Sequence, residues 1–323
     1  MITTIKEKIF AIFCACILVL LFLMSSTNLI IKEKKNEIYQ VSVIVEDSKD
    51  DYYVNLKKGM DQAGVEHNID VNFITLYERN NSEQQKDMLV REIDAGAQAI
   101  ILSPVDYIKM ASVLENMTVD IPIIILNNEE LAGNKVMANV SMDYFAGGQK
   151  MADYISKEIS SDAEVYLFTE GLQYGSNRRL YDGLMSVLGE RYRVNLIEKA
   201  FKSRYTEVMA ERVVRDSSAV VIALDTESLT EMAGIIELNQ TEFGGIALYG
   251  PGTNLKILRY MEDGVIKGVL TENMYDAGYL SMEEAVEAID NKNIKETVRL
   301  DSFFLEKSDI KKKEFEKMLY PIY

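Results

Sequence analysis

Short runs of apolar, largely β-branched residues alternate with amphipathic stretches from position 39 to position 305, and this alternation constrains the fold more than any other feature. The runs are four to eight residues long and bounded by helical patterns, so they read as strands buried on both faces of a parallel sheet. Strands are predicted over 39–45, 70–76, 98–103, 121–127 and 135–140, with helices over 53–67, 82–96 and 106–117 between them. The same order then repeats. Helix 143–159 leads to strands 163–169, 193–200, 219–224, 244–250, 264–271 and 297–305, separated by helices 175–189, 204–216, 227–239, 256–262 and 275–290; an amphipathic helix follows from 308. Two such series imply an α/β chain with two doubly wound parallel-sheet lobes. In sheets of this kind ligands bind outside the carboxyl ends of the strands. Two facing lobes turn those ends into a cleft that can close by hinge motion.

The first strand-to-helix turn shows what the cleft is not. A dinucleotide fold places glycines there, so that the backbone can approach a phosphate. Here the turn is 46-EDSKDDYY-53, rich in carboxylates and ending in adjacent tyrosines. No G-x-G-x-x-G follows a strand, no G-x-S-x-G elbow occurs, and 250-GPGTNLK-256 has the wrong spacing for a phosphate loop. Gly147 and Gly148 follow Asp143, which reads as a helix N-cap, and close helix packing accounts for them. The single histidine, His67, falls in a polar turn, and both cysteines, Cys14 and Cys16, lie near the N-terminus. The folded region therefore has no thiol nucleophile, no disulfide and no thiolate metal site. Neither catalytic residues, a metal nor a cofactor is expected, although an unfamiliar carboxylate-based enzyme remains the alternative class.

Charge and the N-terminus bound the partners and the compartment. The net charge of −16 opposes nucleic-acid binding, and Lys311–Lys313 sit beside Glu314 and Glu316 on what reads as a solvated helix face. No charged residue occurs from Ile9 to Ile31, whose centre is 9-IFAIFCACILVLLFLM-24. A membrane-spanning helix needs roughly 20 mainly apolar residues. Cys14 and Cys16 lie mid-run rather than at its end, which disfavours a lipoprotein signal, and Ser25-Ser26-Thr27 makes a poor cleavage site. The expectation is an uncleaved transmembrane anchor over 1–37, a cell-membrane location and an extracytoplasmic globular part.

Four stretches carry a family likeness: 41-VSVIVEDSKDDYYVNLKKGM-60, 98-QAIILSPVD-106, 121-IPIIILNN-128 with 139-NVSMDYFAGGQKMADYI-155, and 219-AVVIALDTESLTEMAG-234. Together they resemble the type I periplasmic binding proteins, in particular the ribose/galactose-binding group related to the effector domains of lactose-repressor-type regulators. The resemblance implies two lobes joined by three crossings and closing on a small, sugar-like ligand. Lobe 1 would be 38–141 plus 273–297, lobe 2 would be 142–272 plus 298–307, and 308–323 would be a helical tail. It implies that Tyr52 and Tyr53 stack on a sugar ring. It also implies ligand contacts from Glu46, Asp50, Ser103, Asn127, Asn128, Asp143, Asp225 and Glu272. Two positions depart from the group's pattern. Arg178 and Arg179 stand further from Gly183 than the expected arginine, and Tyr249 replaces an expected Asp. A cleft so changed is richer in amides, tyrosines and carboxylates, and also suits a cationic, amine-bearing or oligomeric ligand.

The likeness implies an extracytoplasmic solute-binding protein, and the apolar run adds a membrane tether; such a protein presents its ligand to an ABC permease or a histidine kinase. A regulator's effector domain is disfavoured, because the apolar run stands where a helix-turn-helix would be needed. If the anchor is retained, N-terminal sequencing of protein extracted from membranes reads from Met1; a chain starting near Ser26 or at Cys16 would refute retention.

Overall fold

A computed structural model describes residues 5–26, 38–46, 51–118, 121–127, 131, 136–199, 205–213, 219–290 and 297–320. The chain divides into two units, Met1–Ile38 and Tyr39–Tyr323. The first contains helix α1 (Ile5–Ser26). Its large apolar side chains are exposed, among them Phe10, Phe13, Leu18 and Phe22, and Cys14 and Cys16 are free thiols. Among the described residues no helix is long and apolar enough to cross a membrane. The expected spanning run continues to Ile31, and its part beyond Ser26 lies outside the described residues.

The second unit contains two six-stranded sheets. The first is built from β1 (Tyr39–Val45), β2 (Ile69–Thr75), β3 (Ala99–Leu102), β4 (Ile123–Leu126) and β5 (Val136–Met142), connected through α2 (Asp51–His67), α3 (Ser82–Asp94) and α4 (Tyr107–Asn116). The chain then crosses into α5 (Tyr144–Glu158) and β6 (Glu164–Thr169) of the second sheet. There follow α6 (Gly175–Leu188), β7 (Arg193–Glu198), α7 (Tyr205–Val208) running into a π-helical turn at Met209–Val213, and β8 (Val220–Ala223). Next come α8 (Thr226–Leu238), α9 (Gln240–Phe243), β9 (Ala247–Pro251), α10 (Leu255–Glu262) and β10 (Ile266–Leu270). Helix α11 (Met274–Ile289) and β11 (Thr297–Leu300) return to the first lobe; β12 (Phe304–Glu306) and α12 (Lys313–Leu319) complete the fold.

The strand orders are 2-1-3-4-5-11 and 7-6-8-9-10-12, each the doubly wound pattern in which the chain starts inside the sheet and winds both ways. All pairings are parallel except β12 against β10. Strands β3, β4 and β8 are buried at every residue, which explains their unbroken apolar sequences, whereas the edge strands β2 and β7 mix exposed and buried positions. One apolar cluster holds Leu56 and Met60 of α2 against Val41 and Val43, and continues through Tyr144 and Leu270 to Leu180 and Leu184 of α6. The core is thus continuous across the crossings. Separate clusters fill the outer faces of the first sheet, under α3 and α4, and of the second, under α8 and α10.

The third crossing differs from the sequence expectation. The sequence predicts a single strand over 297–305, and the resemblance divides it between lobes at 297/298. Instead β11 pairs with β5 through Leu300, opposite Met142, and the chain changes lobe over 301–303. Polar Asp301 and Ser302 end the first ladder. Thr271 then captures the chain: its N–H donates to the Phe303 carbonyl, and the Phe303 N–H donates to Thr271 Oγ1, both at 2.8 Å.

Each lobe packs a helix pair so closely that only glycine fits. A Cβ on Gly59 would run into the Tyr275 carbonyl, and one on Gly278 into the Leu56 carbonyl, so α2 and α11 meet backbone to backbone. Gly148 and Gly183 do the same for α5 and α6, the close helix packing expected of Gly148, whereas Gly147 lies against the Leu270 side chain of β10 and Ser302. Overpacking of this kind costs about 1–3 kcal/mol. Gly59→Ala and Gly278→Ala are each expected to lower the denaturant midpoint accordingly, while Gly245→Ala, which meets open space, leaves it near the wild-type value.

Candidate functional site

Because neighbouring strands are parallel, their carboxyl ends share one edge of each sheet, and the loops that leave those ends face each other across a cleft of about 140 Å³. Glu46 follows β1, Arg79 and Asn80 follow β2, Ser103 and Pro104 follow β3, and Asn127 ends β4. From the second lobe come Glu170 after β6, Asp225 to Glu227 after β8 and Glu272 after β10. Tyr53 enters from the first turn of α2, Tyr144 from the first turn of α5, and Tyr174 to Asn177 from the start of α6.

Local rules explain several of these placements. Asn127 has φ 55° and Asn80 φ 58°, the left-handed region that asparagine enters more readily than other non-glycine residues. Ser103 and Pro104 are held by Gln85, fully buried on α3, whose side-chain amide donates to the Ser103 carbonyl at 2.8 Å and accepts from the Val105 N–H at 3.1 Å.

Asp225 is the most heavily bonded group at the site. Its Oδ1 accepts from the Ser228 N–H at 2.8 Å, which caps α8. Its Oδ2 accepts from Thr169 Oγ1 at 2.9 Å, the Glu170 N–H at 2.8 Å and Asn177 Nδ2 at 3.1 Å. Burial pushes its carboxyl pKa up, opposed by these donors. Its lone pairs are spent on the loop between β6 and α6, so its main work is to hold that loop. Glu272, 7% exposed, accepts from Tyr144 Oη at 2.8 Å and from Thr226 Oγ1 at 3.1 Å. Glu46 accepts from Tyr174 Oη at 3.0 and 3.2 Å and from the Asn80 N–H. Burial and the Glu46 charge raise the Tyr174 phenol pKa far above its usual value, so it stays a donor. Arg79 pairs with Glu227 at 3.2 Å, and Glu170 with Lys199 at 2.8 Å.

Of the residues singled out from sequence, Glu46, Tyr53, Ser103, Asn127, Asp225 and Glu272 are brought together in the cleft lining. Asp50 and Asn128 lie outside the described residues, as does the side chain of Tyr52. Four are placed elsewhere. Asp143 caps α5, accepting from the Ala146 N–H at 2.9 Å. Helix α6 begins at Gly175, so Arg178 and Arg179 fall beyond its cleft-lining start. Arg178 pairs with Asp182 at 3.1 Å, and the Arg179 guanidinium lies 5.0 Å from the centre of the Phe145 ring. Tyr249 sits mid-strand because β9 runs on to Pro251; it packs edge-on against Tyr154, and burial pushes its phenol up to about 12. His67 ends α2, 3.6 Å from Glu283, away from the cleft. Sequence reasoning missed Arg79, Asn80, Tyr144, Glu170, Tyr174, Asn177 and Thr226. Among the described residues no group of His, Cys, Asp or Glu is placed to hold a metal ion.

Two doubly wound lobes, three crossings and a cleft between facing strand ends define the class of hinged, two-lobe binding proteins. The chain belongs to the periplasmic binding protein domain family, which matches residues 41–293. Solved structures share the fold. A glucose-galactose binding protein, GanP, from Geobacillus stearothermophilus superposes with a TM-score of 0.75 at 18% identity, covering 85% of this chain and 99% of that one. An ABC transporter solute-binding protein from Agrobacterium vitis, bound with α-D-tagatopyranose, gives 0.77 at 16% identity, covering 87% and 99%. One from Bacillus halodurans, with bound myo-inositol, gives 0.75 at 16%, covering 88% and 99%. No curated protein matches the sequence.

The bonding of Asp225 makes it a stability residue. Asp225→Ala leaves two backbone N–H groups and the Thr169 hydroxyl without this acceptor and takes one of three acceptors from the Asn177 amide, and should destabilise the fold by about 2–4 kcal/mol in equilibrium denaturation.

Proposed function

We propose that this protein is an extracytoplasmic solute-binding protein that encloses one sugar-like ring between its lobes and presents the closed form to an ABC permease. The observation that carries the reading is the cleft itself: about 140 Å³ at the facing carboxyl ends of two parallel sheets. A cavity of about 150 Å³ takes a benzene-sized ring. The size suits a monosaccharide or cyclitol and disfavours an oligomer. The lining supports the same class. Tyr53, Tyr144 and Tyr174 offer aromatic surface, while Asn127, Ser103 and the carboxylates offer bonding to hydroxyls. Family membership and the sugars carried by structural neighbours support binding rather than catalysis and are in keeping with a ribose/galactose-type ligand.

Tethering belongs to this reading and rests on sequence: the uncharged run from Ile9 to Ile31 has the length of an anchor. A retained anchor without a lipid-attachment site also suits partnership with a histidine kinase.

One observation favours a particular kind of sugar. Glu46, Glu170, Asp225, Glu227 and Glu272 bring carboxylates to the described lining, and Arg79 brings its one guanidinium. A ring bearing a protonated amine suits that balance better than an acidic sugar does. A thermal-shift screen over neutral sugars, cyclitols and amino sugars tests both readings. A ligand at 100 times its Kd stabilises the fold by about 2.7 kcal/mol. For the compound that scores, Tyr53→Ala should weaken calorimetric affinity by about 1–3 kcal/mol through lost apolar contact. A flat screen across all three classes would count against the proposal.

A further inference from the structure

The loop from Glu170 to Tyr174 belongs to the second lobe, yet it docks on the first. Its Gln173 carbonyl accepts from the Tyr107 N–H at 3.2 Å, at the start of α4. The Tyr174 ring packs against the outer-face core of the first lobe, the cluster of Ile44, Leu76, Met88 and Leu102. Its hydroxyl reaches both carboxylate oxygens of Glu46. Behind the loop, Asp225 and Asn177 fix its path, and Asn177 Nδ2 also donates to the Gly171 carbonyl at 3.1 Å. Three kinds of contact therefore cross the cleft from two adjacent residues, Gln173 and Tyr174, each between groups of the protein itself.

We propose that Tyr174 is a closure latch: a rigid loop of the second lobe inserts its ring into the first and locks there on Glu46. The proposal rests on the lobes opening and closing as in the reading above. Arg79 and Glu227 also bridge the lobes, at 3.2 Å, but their side chains are 52% and 33% exposed, and an ion pair so placed is screened and weak. The Tyr174–Glu46 contact combines a charge-assisted hydrogen bond with partial burial, so it dominates. A latch acts on the equilibrium between open and closed forms. Apparent affinity scales with the closed fraction. Tyr174 and Glu46 also line the cleft, so the distance between the lobes, not affinity, isolates the latch.

The test measures closure directly. In the full chain with Cys14→Ala and Cys16→Ala, nitroxides attached at Val90→Cys on α3 and Leu238→Cys on α8 report the distance between the lobes by pulsed electron resonance. Tyr174→Phe removes one hydrogen bond to a charged acceptor and is expected to lower the closed-to-open ratio about tenfold. Tyr174→Ala, which also withdraws the ring, should lower it further. Glu46→Gln should lower it alone but add little on the Tyr174→Phe background, the mark of a direct pair. Melting curves of Tyr174→Phe and Glu46→Gln should stay near wild type, which separates opening from unfolding. Unchanged distance distributions in the Phe, Ala and Gln variants would overturn the latch, even if the ligand screen succeeds. Shifted distributions would support it, even if the screen fails.

Discussion

A buried carboxylate at the second crossing ties together the segments through which the chain passes between the lobes. Glu272 lies between Tyr144, which begins the helix after the first crossing, and Thr226, which begins α8 of the second lobe. Next to it, Thr271 binds Phe303 in the third crossing through two hydrogen bonds. All three crossings are therefore bonded to one another. A buried charge is costly unless its oxygens are satisfied, so this arrangement penalises any relative movement that breaks it.

With the hinge fixed, what happens at the far side of the cleft is a question of small energies. The lobes share one continuous apolar cluster through the crossings, so opening need not expose it. Opening does break the contacts at Tyr174 and at Arg79. Each is on the order of 1 kcal/mol, comparable with the few-kcal/mol gaps that separate conformers which ligands shift. A hinge held by buried, fully satisfied groups and a mouth held by half-exposed ones is the distribution of strength that a reversible trap requires.

Much of this was legible in the sequence, for reasons that also mark the limits. The strands could be read because burial on both faces forces unbroken apolar runs such as 99-AIIL-102 and 123-IIIL-126. Where such a run stops at a polar residue, that residue falls at the sheet edge; Glu46, Ser103, Asn127, Asp225 and Glu272, which the family resemblance implied as ligand contacts, all stand at such ends. Tyr249 misled because the resemblance expects a ligand-contacting Asp there, whereas β9 runs to Pro251, one residue past the expected strand, and keeps Tyr249 inside the sheet. Tyr174 gave no signal. Its partner Glu46 stands 128 positions away in the other lobe, and no local pattern records a contact that exists only when the lobes meet. The last crossing failed for a similar reason. The apolar residues on either side of Asp301-Ser302 read as one strand until Thr271 is known to bind Phe303.

The position of a carboxylate at a strand end does not reveal its use. Asp225 and Glu46 occupy equivalent edges, after β8 and β1, and both line the cleft. Asp225 accepts from two backbone N–H groups and two side chains of its own lobe, so its charge is committed before any ligand arrives. Glu46 accepts from the Asn80 N–H in its own lobe and from Tyr174 across the cleft. The first bond is local and survives opening; the second exists only in the closed form. Glu46 alone of the pair therefore has bonding capacity that depends on closure. In the open form its carboxylate turns to water or to an incoming ligand, and on closing Tyr174 reclaims part of it. A ligand that bonds Glu46 must leave room for that phenol or compete with it, so the latch and the choice of ligand meet at one side chain.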